Sequence, residues 1–543
     1  MGSNIFIFDG LSLFVGVFIV FFTVIIFIYS LGFIKKNKLD YYVWFFATSF
    51  ASLGVVFSRN VWLLLVFWGF LGLALFELVN LSDSDKTSLV AKKTFIIVGG
   101  SDGLMLLGFI IYMYLTYHRT TINFSLDYYS LSINNGLALL SFILIASGCF
   151  AKAGAMPFHT WVPEVAAEAK IPVVAYLPAS LDKLLGIYLL ARIVKDSFIL
   201  NNTAKIILLV IGASTVVAAV MMALVQHNVK KLLGYHAVSQ VGYMVLGIGC
   251  ATPIGIGAGL FHMLNNAIYK SCLFLGTGNV EQETKSSELK ELGGLGKYMP
   301  LTFIIMIIAS FSISGIPPFN GFVSKWMVYQ GLIDSFSHTS SFLLKTVVAF
   351  SLIAALIGSG LTLASFLKLL SGIFLGKSRK KVKEVGVLLY FSPLMLAFLC
   401  IVYGVFFSST ALKFIVSSVG NIPIKGVFSS VLATNLILLG ILIGIVFFII
   451  SAGKIRTSRT YLGGEELEDN LKTEDFYGNI KTLPLLGGIY DKADKKVFDI
   501  YEEGKRLVFG CMRFLRYLHN GVLPTYLVWC LLGVMGLFFA FLR

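Results

Sequence analysis

Residues 151–192 read AKAGAMPFHTWVPEVAAEAKIPVVAYLPASLDKLLGIYLLAR, and this stretch decides how the chain is interpreted. Lys152 lies in an apolar helical run that breaks at Pro157, and a second apolar run carries the adjacent Asp182 and Lys183. A charge inside hydrocarbon is costly, so an ionisable group at membrane depth is a functional candidate by default. A helix break at that depth is tolerated only inside protein or beside a water-filled cavity. The stretch therefore predicts part of an ion path.

The composition is that of a membrane protein. Of the 543 residues, 57% are hydrophobic and only 13% are charged, about half the charged fraction of a soluble domain. Apolar runs recur that are long enough to cross about 30 Å of hydrocarbon. They are continuous rather than alternating, which excludes a transmembrane β-barrel. The predicted fold class is an all-α polytopic membrane protein.

The apolar runs predict about fourteen transmembrane helices. They cover 11–33, 41–58, 61–81, 92–116, 137–156 with a broken extension to about 168, 172–196, 204–225, 230–250, 254–277, 300–335 with a break, 343–374, 386–408, 429–452 and 521–542. The predicted parts are an N-terminal helix (1–40), a first five-helix repeat (41–196), a second five-helix repeat (203–375), two further membrane helices (386–452), a cytoplasmic-side amphipathic segment (453–520) and a final membrane helix (521–543).

The two five-helix groups are predicted to be inverted repeats. Each has a fourth helix interrupted by proline, at Pro157 in the first group and at Pro317 and Pro318 in the second. Five is an odd number, so the two groups must insert into the membrane in opposite senses. Inverted repeats with discontinuous helices are typical of transporter folds whose sites lie near the midplane.

The net charge of +15 is interpreted through the membrane. In a soluble protein it would indicate a nucleic-acid partner, but here most basic residues fall in loops between apolar runs, and no nucleic-acid partner is expected. Such loops face the negative inner leaflet. The pattern predicts a multi-pass protein of the cytoplasmic (inner) cell membrane, with the basic loops in the cytoplasm and both termini outside.

The polar segment 453–520 has two interpretations. From about Gly487 its apolar residues recur with helical spacing and form one apolar face. Such a helix either connects two parts of the chain along the inner membrane surface or straps a neighbouring subunit as a lateral helix. The sequence leaves both open.

Buried lysines are the leading candidates for moving charge. Desolvation favours the neutral amine, so a lysine in apolar surroundings can bind and release a proton. Lys152, Lys183 and Lys325 meet this description, although lysines near helix ends also snorkel to the interface without a function. Asp182 is expected to tune its neighbour Lys183 or to face a partner subunit.

A second group of candidates is polar. His262, Asn266 and Lys270 recur every four residues and so share one helix face, and histidine exchanges protons near neutral pH. A buried structural histidine is the alternative. Further candidates are His236 in the central chain, Glu77 as a carboxylate or a boundary residue, Asp102 as an ion-pair partner of Lys152 or Glu77, Lys368 as an exit-side relay, and Tyr235, Ser239, Gln240 and Tyr243 as polar wall groups.

No chemical active site is predicted. None of the six cysteines is in a C-x-x-C pair, and no phosphate loop, dinucleotide fingerprint or HExxH motif occurs. We therefore expect no catalytic residue, cofactor or metal in this chain.

Five motifs in order carry a family resemblance. They are FAKAGAMPFHTWVPE (150–164), KKLLGYHAVSQVGYM (230–244), FHMLNNAIYK (261–270), LKELGGLGKYMP (289–300) and GIPPFNGFVSKW (315–326). Together they resemble the antiporter-like subunits of respiratory complex I, Mrp-type cation/proton antiporters and energy-converting hydrogenases. The resemblance implies two inverted repeats and a proton path along the midplane. It implies that Lys152, Lys183, His262 and Lys325 match the family's lysine of the first broken helix, next-helix lysine, central histidine and lysine of the second broken helix.

The chain departs from the family pattern at two positions. Members usually have Trp-Glu in the third helix, whereas this chain has Trp68-Gly69, and its nearest acid there is Glu77, about 12 Å further along the helix. A second family histidine is Asn266 here. The lysine–glutamate pair of the first repeat is therefore in question.

The long inner segment before the final helix resembles large antiporter-like subunits of membrane-bound [NiFe]-hydrogenases. This implies a proton-translocating, possibly Na⁺-exchanging, subunit of a multi-subunit oxidoreductase complex, with iron–sulfur clusters and a NiFe centre, if any, in the partner subunits. The alternatives are an Mrp-type antiporter subunit, a quinone-reducing complex I subunit, and a membrane scaffold whose charges only pair structurally.

Overall fold

Helices form most of the part of the chain that the structure describes. The computed structural model describes residues 5–81, 84–116, 130–376, 380–407, 430–451 and 483–542, with short pieces at 409–410, 413, 415, 419, 477 and 480–481. The first helices are α1 (Gly10–Phe33), α2 (Lys38–Phe57), α3 (Val61–Asn80), α4 (Asp85–Thr116), α5 (Gly136–Ala153), α6 (Trp161–Glu168), α7 (Ile171–Tyr176), α8 (Asp182–Arg192), α9 (Asn202–Leu224) and α10 (Val229–Gly249). The others are α11 (Pro253–Thr284), α12 (Pro300–Ser314), α13 (Asn320–His338), α14 (Phe342–Phe374), α15 (Val387–Val405), α16 (Ser430–Ser451), α17 (Pro484–Asp494), α18 (Ile500–Leu518) and α19 (Leu523–Phe541). Strands β1 (Leu131–Ser132) and β2 (Phe198–Ile199) pair in parallel.

The helices confirm an all-α polytopic membrane protein. Over the described residues, ten helices are long and apolar enough to cross a membrane. The predicted runs at α10, α11, α16 and the broken pair α12–α13 are helical but fall outside this group. In α10 and α11 the buried polar residues His236, Gln240, His262 and Lys270 lower the mean hydropathy, and α12 and α13 are pieces of a broken helix. The total of fourteen spans stays a prediction.

The chain divides into two compact units, Met1–Leu483 and Pro484–Arg543. The second unit contains α17, α18 and α19. The continuous helical pattern predicted from Gly487 is wrong in one respect, because helix α17 ends at Asp494 and α18 begins at Ile500. Lys496 between them has a φ of 57°, a left-handed conformation that no helix continues, and Asp499 caps the new helix by accepting the N–H of Tyr501.

Two helix breaks share the same terminating residue type. Helix α5 ends at Gly154 with a φ of 80°, and α12 ends at Gly315 with a φ of 81°. Glycine enters this left-handed region without steric cost, which makes it the usual residue just past a helix end. An added Cβ at Gly154 would come within 2.6 Å of Val162. Glycine at each break therefore lets the chain turn inside the packed core.

A π-helical turn leads into α8. Residues Leu177–Leu181 form this turn between α7 and α8, and its Pro178 has no N–H to continue the α-helical ladder. Ser180 donates its hydroxyl to the carbonyls of Ala175 (2.9 Å) and Tyr176 (2.7 Å). Such single turns are frequent at functional sites, and this one directly precedes Asp182.

Close helix contacts hold α8 against α5. A Cβ at Gly186 would lie 2.7 Å from the backbone N of Ala153 and from the carbonyl O of Cys149. Small residues allow such approaches between membrane helices, where packing replaces the hydrophobic effect. Gly186 thereby brings the Lys183 end of α8 against the Lys152 end of α5.

A buried arginine ties the start of α1 to the end of α8. The Nη2 of Arg192 donates to Asp9 Oδ1 at 2.8 Å and to the Tyr188 hydroxyl at 3.1 Å, and its Nη1 donates to Asp196 at 3.0 Å. Arg192 is only 2% exposed. Burial raises the pKa of Asp9, but hydrogen bonds and the charge of Arg192 outweigh burial and hold that pKa well below its usual range.

Arg192→Ala is expected to lower the free energy of unfolding by about 3 kcal/mol, because it leaves a partly buried carboxylate unpaired. The matched control is Lys195→Ala, whose exposed contact with Asp196 is 3.6 Å long, and we expect a loss below about 1 kcal/mol there. Thermal unfolding of the purified chain in detergent measures both. Since the pKa of Asp9 is lowered by folding, the difference between wild type and Arg192→Ala should be constant near neutral pH and shrink only below about pH 4. Equal losses for the two variants would contradict the assignment.

Candidate functional site

A row of buried ionisable residues runs through the first unit. It is made of Lys152 (α5), Asp182 and Lys183 (α8), His236 (α10), His262 and Lys270 (α11) and Lys325 (α13), each at most 2% exposed. Charged side chains are almost never this buried unless they are paired or functional. The structure thus brings together most of the residues that the sequence singled out.

Lys152 lies at one end of the row, over an aromatic ring. Its Nζ is 5.4 Å from the ring centroid of Trp68, and the indole Nε1 of Trp68 donates to Asp102 Oδ1 at 2.8 Å. Lys152 interacts electrostatically with both Asp102 and Asp182. Within the described part of the chain, its Nζ makes no hydrogen bond. Lys152 therefore has two carboxylates within Coulombic reach and is fixed to neither.

The position of Asp102 bears on the missing family glutamate. Gly69 is exposed on α3, so a side chain there would point away from the core. A Cβ built on Gly72, one helical turn further, would lie 3.6 Å from Asp102 Oδ2. The carboxylate of Asp102 thus rests against the buried face of α3, beside Trp68.

Lys183 covers the carbonyl end of α5. Its Nζ donates to the Ala153 carbonyl and lies 6.0 Å from the ring centroid of Trp161. The indole of Trp161 donates to the Ala151 carbonyl at 2.9 Å. The first helix break therefore directs two donors at the free carbonyls of α5, which a helix end leaves without intrahelical partners.

The middle of the row joins α10, α11 and α14. Lys270 donates to the Leu233 carbonyl at 3.0 Å and interacts electrostatically with Lys183. His236 shares a hydrogen bond of 2.7 Å between its Nε2 and the hydroxyl of Ser365, and it interacts electrostatically with Lys270 and Lys325. The middle residues thus connect the two ends.

His262 and Lys325 form the other end of the row. The Nδ1 of His262 lies 2.9 Å from the Ser324 hydroxyl, and its Nε2 lies 3.1 Å from Gln240 Oε1. Lys325 lies 4.8 Å over the ring of Tyr243 and interacts electrostatically with His262. A histidine with a partner on each ring nitrogen can take up a proton on one side and release it on the other.

Three predicted residues have other surroundings. Lys368 donates to the carbonyls of Leu224 (2.8 Å) and Gln226 (3.0 Å), so it caps the C-terminal end of α9. The side chain of Glu77 makes no hydrogen bond or ion pair among the residues described, and its backbone carbonyl accepts the N–H of Leu81. Both amide atoms of Asn266 are buried without a hydrogen bond in the described part of the chain. The relay roles predicted for Lys368 and Glu77 stay predictions.

A cleft of about 430 Å³, lined mostly by polar and charged residues, opens beside α6. Its lining includes Glu164, Glu168, His227, Lys231 and Glu288, and Glu164 also accepts a hydrogen bond of 2.7 Å from Lys93. The cleft lies next to α6, directly after the first helix break.

Sequence reasoning missed Trp68, Ser324 and Ser365 as functional neighbours. Trp68 was noticed only as the residue before Gly69, and Ser324 stands immediately before Lys325. A signal existed for Trp68, since a tryptophan one helical turn before the small residue Gly72 marks a buried face. The contact of Ser365 with His236 joins residues far apart in sequence, and no local pattern indicates it.

The ionisable groups of the site can bind and release protons, and its two histidines are hydrogen-bonded to serine hydroxyls. Among the described residues, no group of three or more histidines, cysteines or acids is placed to hold a metal ion. The amines, imidazoles and carboxylates of the site can be protonated and deprotonated.

Comparison with known families matches this region. Residues 58–354 match the family described as "NADH:quinone oxidoreductase/Mrp antiporter, TM". Among similar proteins, Na(+)/H(+) antiporter subunit A1 of Staphylococcus haemolyticus (strain JCSC1435) is 32% identical over 418 residues, which are 73% of this chain and 52% of that protein. The same subunit of Staphylococcus epidermidis (strain ATCC 12228 / FDA PCI 1200) is 33% identical over 399 residues, 70% of this chain and 49% of that protein. The chain thus spans about half the length of these curated relatives.

Three solved structures share the fold. A chain of the archaeal membrane-bound sulfane sulfur reductase has a TM-score of 0.79 at 21% identity, covering 98% of this chain and 88% of that chain. A chain of the Mrp complex from Dietzia sp. DQ12-45-1b has a TM-score of 0.66 at 20% identity, covering 76% of this chain and 83% of that chain. A chain of respiratory complex I from Thermus thermophilus has a TM-score of 0.62 at 20% identity, covering 76% of this chain and 88% of that chain.

Proposed function

The chain belongs to the NADH:quinone oxidoreductase/Mrp antiporter membrane family, and on this basis we propose that it is a proton-translocating subunit of a redox-driven membrane complex. The observation that carries the proposal is the set of buried ionisable residues from Lys152 to Lys325 and His262, which interact electrostatically with one another. Ionisable residues inside a membrane protein mark ion pathways and proton relays. The exposed side chains of the flanking helices are largely apolar, as lipid contact requires.

Protons pass along the row by alternating charge. Neighbouring lysines such as Lys183 and Lys270 interact electrostatically, and two like charges at short range cannot both be held at low cost in a low-dielectric interior. When one group of the row takes up a proton, the neighbouring protonated group is therefore favoured to release its own proton. The coupled titration of the row moves charge without moving any helix far.

Asp102 and Asp182 gate the Lys152 end. Asp102 supplies from α4 a carboxylate beside Trp68, where the family usually has one from α3. Asp182 competes for the Lys152 ammonium from α8. When Lys152 lies toward Asp102, Asp182 is free to stabilise a proton on Lys183, and the reverse arrangement releases that proton toward Lys270.

Access to water is proposed through the polar cleft beside α6. The cleft holds three carboxylates and two basic groups, which supply and accept protons at an aqueous surface. The side on which the cleft opens follows from the predicted cytoplasmic position of the basic loops.

A redox complex is favoured over an Mrp antiporter by the extent of the fold likeness. The sulfane sulfur reductase chain covers 98% of this chain, against 76% for the Mrp chain, so the likeness includes the α17–α19 region. Iron–sulfur clusters would then reside in partner subunits. The hydrogenase assignment that the sequence resemblance favours is one form of this proposal, and quinone-reducing and Mrp-type complexes are the alternatives.

Purification of the complex with its native subunits tests the proposal. The redox assignment predicts iron and acid-labile sulfide in stoichiometric amounts, and vesicle acidification that requires an electron donor. A complex without iron that exchanges Na⁺ for protons under an imposed gradient would establish the Mrp alternative instead. Replacing Na⁺ by K⁺ or choline in the redox assay separates proton translocation from Na⁺/H⁺ exchange.

A further inference from the structure

The proposed row has more lysines than acids. Lys152, Lys183, Lys270 and Lys325 are all buried, whereas the two carboxylates, Asp102 and Asp182, both act on its first end. An unpaired ammonium in a low-dielectric interior is strongly disfavoured. Something other than a carboxylate must therefore offset the charge at the Lys325 end whenever the proton is there.

Each of these lysines has an aromatic ring beside its ammonium. The distances from Nζ to the ring centroid are 5.4 Å for Lys152 and Trp68, 6.0 Å for Lys183 and Trp161, 5.5 Å for Lys270 and Phe366, and 4.8 Å for Lys325 and Tyr243. A cation within about 6 Å of a ring centroid is attracted by the negative face of the ring. A contact between an ammonium and an aromatic ring thus occurs at the lysine of each of these four helices.

Lys325 and Tyr243 have the shortest ammonium-to-ring distance of the four pairs. Within the described residues, the Nζ of Lys325 has no hydrogen-bond partner and no ion pair. Its ammonium lies over the ring of Tyr243 rather than at the hydroxyl, because that hydroxyl donates to the Ala355 carbonyl at 2.7 Å and contacts the Ser359 hydroxyl at 3.1 Å. The ring is therefore held in place from α14 while its face is offered to Lys325.

Tyr243 also touches the next proton carrier. Its ring centroid is 5.4 Å from that of His262, at an interplanar angle of 52°. The titratable groups facing Lys325 are Tyr243 and His236 from α10 and His262 from α11. The two histidines are cationic or neutral, never anionic, so they repel a charged Lys325 or leave it unaffected.

We propose that the negative ring face of Tyr243 stabilises the protonated form of Lys325 in place of a carboxylate. Tyr243 is thus a positioning residue for this lysine. A carboxylate would bind the ammonium tightly and hold the proton. The weaker attraction of a ring face lets Lys325 accept a proton and still pass it to the His262 side. This inference rests on the proposed function of the row.

Fluorination of the ring is the test, because fluorine withdraws electron density from the ring face and changes the shape of the side chain very little. Position 243 is changed first to phenylalanine, Tyr243→Phe, and then to mono-, di- and trifluorinated phenylalanine by nonsense-codon suppression in the full complex. With Tyr243→Phe as the reference, we expect the rate to fall stepwise with fluorine number by about 2- to 30-fold in all. The fall should be largest at alkaline pH and smaller at acidic pH, where a higher proton concentration refills Lys325.

The same fluorinated residues at position 303 are the control, since Phe303 only stacks on Phe374 at 4.8 Å. A flat fluorine series at position 243, with Lys325→Ala inactive, overturns this inference but not the proposed function. If Lys325→Ala translocates protons as fast as the wild type, the proposed function itself fails. The amount of assembled complex, measured on native gels, normalises every rate.

Discussion

Replacing Lys152 or Lys325 by alanine is expected to slow proton translocation at least about 100-fold while the complex still assembles. In the proposed path each of these lysines carries the proton at its own position, and a positioned proton-transfer group contributes about 10²- to 10⁴-fold. Alanine at position 325 removes a buried charge that has no ion-pair partner among the described residues, and at position 152 the nearby buried carboxylates can be neutralised by protonation, so assembly should persist. Acidification of sealed vesicles, driven by the electron donor, measures the rate.

The matched control for both variants is Lys230→Ala. Lys230 is also buried, at 7% exposure, but it pairs with Glu281 at 2.9 Å near a helix end and lies outside the row. We expect this variant to keep its translocation rate. Equal and small effects at all three positions would show that the buried lysines only pair structurally, as in a scaffold.

Asp102→Ala should have the second largest effect, a loss of about 10- to 100-fold in translocation. The carboxylate of Asp102 accepts the indole N–H of Trp68 and interacts electrostatically with the Lys152 ammonium, and a nearby opposite charge shifts a proton-binding equilibrium by about 10-fold or more. Without Asp102, the charged form of Lys152 is less populated and only Asp182 attracts it. Asp85→Asn, at the exposed start of the same helix, is the control and should leave the rate unchanged.

A second substitution sharpens this prediction. Gly72→Asp in the Asp102→Ala background would restore a carboxylate to the same place, because a Cβ at Gly72 lies 3.6 Å from the Asp102 carboxylate oxygen and 4.0 Å from Val98. We expect recovery of a substantial part of the rate. If Asp102→Ala is fully active, Asp102 does not stand in for the missing family glutamate.

The candidate lysines were predictable from the sequence because charge inside a long apolar run is a strong local signal. Lys152, Lys183 and Lys325 each stand out in this way, and the structure buries all of them. The spacing of His262 and Lys270 likewise follows from helix geometry alone. Local patterns also located the two proline breaks and the all-α architecture.

The partners of these residues were not predictable, because they depend on how distant helices pack. Asp102 was one of several acids offered to Lys152, and only the packing of α4 against α3 places it beside Trp68. The role of Lys368 as a cap on α9 required the approach of α14. The interruption between α17 and α18 occurs at Lys496, a residue type that gives no turn signal.

The most direct test of a single continuous path is the double variant Lys152→Ala/Lys325→Ala compared with each single variant. In a path in series, either block stops the flow, so we predict that each single variant is as inactive as the double one in vesicle acidification. Two separate paths, one in each half of the chain, would instead leave about half the wild-type rate in each single variant and abolish it only in the double variant. That second result would contradict the row of residues from Lys152 to Lys325 acting as one conductor.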